Sequence, residues 1–269
     1  MSSNFFNTLS RRFKTLLIYS RAFIVEVETK NDYFKCIRFD REELIKLKSG
    51  LKIEVQSRRC LNFLNSIFFN KIYGVPNQEK IIIDIGANKG FFSIFFAHQL
   101  KEKGVKIYSF EPHPNTFELF QRNIHDNGLE KTITAFQKSV SGVSHLTQKF
   151  YVARDSFDYS LYNEYKSDEE VLVENITLQE IIKQNNIEQI DLLKLNCEGA
   201  EYEILMRTPI EYLEKIQSIR MEYHNFELDG KVFNILPLIR FLTDNNFKVV
   251  NQLPYAEEHG IIWFENQKR

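Results

Sequence analysis

The chain has 269 residues and a formal net charge of −1, with 35 Lys and Arg against 36 Asp and Glu, which argues against a globally basic nucleic-acid binder. Apolar residues make up 43% and charged residues 26%, which excludes disorder and fibrous repeats and suits one large domain with or without a small appendage. Cys36, Cys60 and Cys197 are too far apart for a disulfide framework or a metal-ligand motif, so a reduced, cytoplasmic setting is expected.

Residues 1–75 read as an N-terminal entry region of helix and short strands. Within it, residues 5–21 mix Phe5, Phe6, Leu9, Phe13, Leu16 and Leu17 with Arg11, Arg12 and Lys14. That pattern suits a helix packed on the main domain, with association at a membrane surface as the weaker reading. The apolar stretch 15–27 is broken by Arg21 and is too short to span a bilayer. Residues 23–28 and 51–56 read as strands, and 60–73 as an amphipathic helix.

From residue 76 to residue 269 the pattern changes, and short apolar runs alternate with helical periods. Strands are expected at 81–84, 105–110, 133–140, 191–197 and 216–223. Helices are expected at 91–100, 115–127, 178–185, 200–206 and 233–246, the second closed by Asn127-Gly128. The end, 247–251 and 261–264, reads as an antiparallel hairpin. Such alternation predicts an α/β fold with a doubly wound, mostly parallel sheet.

Four polar motifs fall at the ends of four of these strands. Asp84-Ile85-Gly86-Ala87-Asn88-Lys89-Gly90 joins the first strand of this region to its helix, where glycines let a backbone approach a ligand. Its spacing lacks the G-x-G-x-x-G of a pyrophosphate turn, and Asp84 would repel a pyrophosphate but suit a cationic or hydroxyl-bearing ligand. Glu111, 21 residues past Gly90, is placed to accept hydrogen bonds from two ribose hydroxyls. Asn196 and Glu198 close the 191–197 strand and share a face if the chain stays extended that far. Glu222-Tyr223-His224-Asn225 closes the next, and its adjacent carboxylate and imidazole suit a general base, a hydroxyl-orienting pair or a metal ligand.

Taken in order, Asp84 to Gly90, Phe110-Glu-Pro-His-Pro114, Ile176-Thr-Leu178, Asp191-Leu-Leu-Lys-Leu-Asn-Cys-Glu-Gly199 and Glu222-Tyr-His224 resemble the FkbM-type methyltransferase family, over about residues 50–265. The resemblance implies a Rossmann-like class I methyltransferase fold occupying residues 76–269. It implies S-adenosylmethionine as cofactor and a hydroxyl of a saccharide or glycosylated metabolite as acceptor, in polysaccharide modification for instance. It also implies that Asp84, Gly86, Asn88 and Gly90 surround the cofactor, that Glu111 holds its ribose, and that Ser139 approaches its adenine. The family commonly carries Asp where this chain has Asn196.

The expected function is therefore O-methylation, with Glu222 and His224 as base candidates and Asn196 and Glu198 orienting the acceptor. A divalent metal is allowed by these O and N ligands but not expected, because no dedicated metal motif is present. Residues 142–175, with Arg154, Asp155, Ser156, Tyr159, Ser160 and Tyr162, read as a substrate-facing insertion. Two other readings stand beside this one: a catalytically silent S-adenosylmethionine-binding protein, and a nicotinamide oxidoreductase, which the missing G-x-G-x-x-G disfavours. No nucleic-acid partner and no transmembrane segment are expected, and the oligomeric state is left open.

Overall fold

A computed structural model describes residues 42–144, 147–152, 159–160, 170–228, 230–254 and 259–268. The stretch 5–21, the strand expected at 23–28, and Arg154, Asp155, Ser156 and Tyr162 lie outside these residues. The chain divides into two compact units, one of residues 1–74 with 125–127, the other of residues 75–124 and 128–269.

In the first unit, β1 (Glu43–Lys46) and β2 (Lys52–Val55) form an antiparallel pair. They are followed by α1 (Arg58–Phe68), whose N-cap Ser57 accepts a hydrogen bond from the Cys60 N–H. The helix expected to reach residue 73 stops at Phe68, and Lys71 just beyond it has φ +55°. The strand β1 has only four residues, too short to show an alternation in the sequence.

The second unit is built on a seven-stranded sheet. In chain order its strands are β3 (Ile81–Ile85), β4 (Lys106–Phe110), β5 (Ile133–Phe136), β10 (Ile190–Leu195), β11 (Ile216–His224), β14 (Phe247–Pro254) and β15 (His259–Asn266). Across the sheet they run β14-β15-β11-β10-β3-β4-β5. The pairs from β11 to β5 are all parallel, while β15 lies antiparallel between β11 and β14. The expected hairpin therefore places its second strand inside the sheet, with β14 at the edge.

Helices α2 (Phe91–Leu100), α3 (Pro114–Asp126), α4 (Leu178–Gln184), α5 (Glu201–Arg207), α6 (Ile210–Leu213) and α7 (Ile235–Asp244) connect the strands. In α2 the side chains of Phe91, Phe92, Ile94, Phe95, Phe96, Ala97 and Leu100 are all buried, so this helix is apolar on every side. The one buried polar residue among them, Ser93, recurs in the site below. Helix α4 starts with a capping box: Thr177 Oγ1 accepts from the Glu180 N–H at 3.2 Å, and Glu180 Oε2 accepts from the Thr177 N–H at 2.8 Å.

The strand expected at 133–140 is two strands. After β5 the chain breaks pairing and re-enters as β6 (Ser139–Ser141), which joins a second sheet of order β6-β9-β7-β8 with β7 (Thr147–Val152), β8 (Tyr159–Ser160) and β9 (Glu170–Thr177). Of the described residues of the expected insertion, most lie in this sheet, with β7 and β9 antiparallel. A small hairpin, β12 (Phe226–Leu228) and β13 (Lys231–Phe233), follows β11.

Gly90 and Gly104 both have positive φ, +81° and +74°, but differ in what surrounds them. A Cβ on Gly90 would lie 2.0 Å from the Phe120 ring, whereas one on Gly104 would meet nothing within 4 Å. Gly104→Ala should therefore cost only the left-handed backbone penalty, roughly 1 kcal/mol, and Gly90→Ala at least about 2 kcal/mol. Urea denaturation of the two variants checks this; equal losses would show that Phe120 yields freely.

Candidate active site

Strand β3 is where strand order reverses. The chain leaves it outward through β4 and β5, then returns on its other side with β10 and β11. Open α/β sheets bind ligands at the crevice outside such a point. Here the turns after β3, β4 and β10 are tied together by backbone hydrogen bonds. The Gly86 and Ala87 N–H groups both donate to the Phe110 carbonyl at 3.0 Å, and the Asn196 N–H donates to the Ile85 carbonyl at 3.1 Å. Gly86 has φ +71°, and a Cβ there would sit 1.8 Å from the Asn196 carbonyl oxygen. The protein's own packing thus requires both glycines, Gly86 for β10 and Gly90 for Phe120.

The Asp84 carboxylate is engaged by the protein's own groups. It is fully buried and forms an ion pair at 2.9 Å with Lys194, its register partner on β10. Its other oxygen accepts from Ser93 Oγ at 2.6 Å, and Ser93 Oγ is 2.8 Å from Ser109 Oγ on β4. The cation expected from a ligand is supplied by the protein. Lys194 lies among apolar residues of a buried strand, where periodicity marks it only as an interruption. The same ammonium donates to the Gly86 carbonyl at 2.7 Å and to the Ile85 carbonyl at 3.3 Å.

Glu111 has a different surrounding. Its Oε2 accepts from the Asn88 N–H and its Oε1 from the His113 N–H, both at 2.9 Å. Burial pushes its pKa up to about 7, although the backbone donors and the charges of Lys89 and Lys194 oppose the rise. Each oxygen keeps lone pairs that two further hydroxyl donors would satisfy. A buried carboxylate short of donors at a switch point fits the diol of a ribose, so the residues present suit a nucleoside-bearing cofactor. Asn88 itself has φ +52°, which aims its N–H at Glu111, and its side chain accepts from the Lys89 N–H at 2.9 Å. Asn123 Nδ2 donates to the Lys89 carbonyl at 3.1 Å and ties the turn to α3.

The other cluster lies at the ends of β10 and β11. Strand β10 stops at Leu195, and Glu198 has φ +51°, so the extended course that would put Asn196 and Glu198 on one face is not followed. Instead, Asn196 Nδ2 donates to Glu222 Oε2 at 2.8 Å, leaving Asn196 Oδ1 buried without a hydrogen-bond partner. Strand β11 stays extended through His224, which puts Glu222 and His224 on one face. Burial pushes the Glu222 carboxyl above its ordinary range, opposed by the charge of His224.

The geometry makes His224 a cation. Its Nε2 lies 3.4 Å from Glu198 and its Nδ1 3.3 Å from Glu201. Burial disfavours the charged ring, yet Glu198 and Glu201 push its pKa up to about 10. An imidazolium has no lone pair to accept a proton, so this raised pKa favours Glu222 over His224 as the base. Glu201, the first residue of α5, is fully buried and accepts from the Cys197 and Gly199 N–H groups, each at 2.8 Å. Burial would raise its pKa, but the His224 charge and these donors hold it below the ordinary range.

Ser139 is buried in β6, and its hydroxyl lies 3.0 Å from Asn175 Oδ1 and 3.2 Å from the Glu174 carbonyl, so its proton is directed into β9. Among the described residues no group of three or more His, Cys, Asp or Glu side chains is arranged to hold a metal ion. Nor is any helix among them long and apolar enough to cross a membrane.

A seven-stranded sheet whose last strand enters antiparallel beside the fifth, with a buried carboxylate at the end of its second, defines a class I methyltransferase fold. Residues 84–249 match the methyltransferase FkbM domain, and the chain belongs to that family: it is a methyltransferase that depends on S-adenosylmethionine. Methyltransferase sdnD of Sordaria araneosa is 26% identical over 187 residues, covering 58% of this chain and 71% of that protein. Methyltransferase 1 of Beauveria bassiana is 26% identical over 181 residues, covering 58% and 70%. Among solved structures, Methanocaldococcus jannaschii Trm5 in complex with adenosine is 15% identical at a TM-score of 0.49, covering 86% of this chain and 57% of that one.

The pKa of His224 stands above the ordinary 6.5, so its charge stabilises the fold fully below about pH 6.5, and this contribution is lost as pH rises through about 10. Stability measured from pH 6.5 to 10 should fall by about 1 kcal/mol or more in the wild type. In His224→Gln that part of the slope should vanish. Parallel curves for the two proteins would place the imidazolium elsewhere.

Proposed function

We propose that the protein is an O-methyltransferase acting on a hydroxyl of a saccharide or glycosylated metabolite, with Glu222 as the general base. The observation that carries this reading is the half-buried Glu222 carboxylate, held by the Asn196 amide on the same edge of the sheet that carries Glu111. The Glu111 carboxylate would accept the two ribose hydroxyls of the cofactor, while the Asn88 and His113 N–H groups keep its oxygens in place. When bound, S-adenosylmethionine supplies a methyl group on a sulfonium, open to in-line displacement by an oxygen nucleophile.

The protein's part is to hold that oxygen in line and to take its proton. Positioning supplies much of the rate in such displacements. Glu222, raised by burial, is a better base than an exposed carboxylate, and the Asn196 N–H keeps one of its oxygens fixed so that the other faces the acceptor. Glu198 and Glu201 hold His224 as a cation whose charge favours the ionised form of Glu222. The membership of the chain in a methyltransferase family supports methyl transfer, and a hydroxyl acceptor must lose its proton in that transfer, which a carboxylate base would take.

Glu222→Gln keeps an oxygen to accept the Asn196 N–H but removes the basic site. Turnover on a saccharide panel should fall roughly 10²–10⁴-fold while adenosylhomocysteine affinity changes by only a few-fold. Wild-type turnover in this variant, or methyl transfer to amines with none to saccharides, would overturn the reading.

Glu111→Ala should weaken adenosylhomocysteine at least about tenfold, through the loss of charge-assisted hydrogen bonds. Because ribose hydroxyls favour ionised Glu111, whose pKa stands at about 7, binding near neutral pH should release a proton. Calorimetry in buffers of different ionisation enthalpy checks this, and proton uptake would contradict the assignment.

A further inference from the structure

We propose that Lys194 is a positioning residue for the methyl donor, fixing the turn 86–90 through the Gly86 and Ile85 carbonyls. The proposal rests on the donor occupying the crevice at Glu111. Lys194 is 1% exposed and serves three partners: Asp84 Oδ1 at 2.9 Å, the Gly86 carbonyl at 2.7 Å and the Ile85 carbonyl at 3.3 Å. Its ammonium has three N–H donors, enough for the carboxylate, the Gly86 carbonyl in the turn and the Ile85 carbonyl at the end of β3.

The energetics separate this role from stability. Burying an ion pair costs both charges their water, and replacing both partners by uncharged groups is often neutral or stabilising. A fold that needed only a filled core would do as well with apolar residues here. The carbonyls make the difference. Left-handed Gly86 turns its carbonyl toward β10, away from the N–H that it gives to Phe110, and the Lys194 ammonium is the donor that meets it there. From Gly86 the chain runs directly to Asn88, whose N–H orients Glu111. A shift of the Gly86 peptide therefore moves a donor that holds the ribose-binding carboxylate. Asp84 pairs with the same ammonium and is itself held by Ser93, whose hydroxyl meets that of Ser109.

Two variants divide the anchor from the charge pair, with adenosylhomocysteine affinity by calorimetry and melting temperature as readouts. Asp84→Asn alone leaves the buried ammonium without its counter-ion, so the melting temperature should fall, but both carbonyls keep their donor and affinity should fall less than tenfold. The double variant Asp84→Asn/Lys194→Met leaves no uncompensated charge, so its melting temperature should stay close to that of wild type. Its affinity should nevertheless fall at least tenfold. A double variant that binds as tightly as wild type would overturn the proposal. If it does not fold, Asp84→Asn decides alone: tenfold weaker binding there would assign the effect to the carboxylate and refute the anchor. A wild-type protein that bound no adenosylhomocysteine would instead sink the functional reading itself.

Discussion

A buried ammonium between a carboxylate and two backbone carbonyls holds the centre of this structure. Lys194 and Asp84 are neighbours in the parallel pairing of β10 with β3, and neither reaches water. A lone charge at either position would be costly by several kcal/mol, so each requires the other. That requirement reaches further than the pair. Ser93 is the polar residue that α2 directs at Asp84, and Ser109 brings β4 into the same network. Three strands and a helix thus converge on one point just inside the crevice.

Around this point the protein compensates buried carboxylates in different ways, and the differences assign chemistry. Asp84 has a full counter-ion and a hydroxyl donor, which leaves little for a ligand. Glu201 has two backbone N–H donors and a nearby imidazolium. Glu111 has two backbone donors but no direct counter-ion, and Glu222 has a single amide donor. The two least satisfied groups carry the raised pKa values, because burial penalises a charge in proportion to what is not returned to it. Incomplete satisfaction at a crevice is what a binding or proton-accepting group needs before its ligand arrives.

Charge also divides labour between neighbours on β11. Glu222 and His224 look alike in the sequence, as a carboxylate and an imidazole two residues apart on one face. In the folded chain, Glu198 and Glu201 surround His224, whereas Glu222 meets an uncharged amide. One becomes a fixed cation, and the other retains basicity. Glu198 reaches His224 only because the chain leaves the extended conformation after Leu195, with Glu198 at φ +51°. No periodicity announces such a turn, since Asn and Glu at a strand end are equally compatible with continuing straight.

The sequence by itself determined the alternation of strands and helices from residue 81 onward, because apolar runs such as Ile81-Ile82-Ile83 and Leu192-Leu193 admit burial on both faces. It also placed Glu111, Asn196 and Glu222 at strand ends on one edge, since a parallel sheet sets every carboxyl terminus on the same side. What the side chains do there was decided only by tertiary structure. The partner of Asp84 is 110 residues away in Lys194, and that of Asn196 is 26 residues away in Glu222. The break between β5 and β6 likewise depends on β9, which draws Ser139 out of the main sheet. Hydrogen bonds and ion pairs act over a few ångströms between groups that chain order does not bring together, so a spacing rule sees the residue but not its partner.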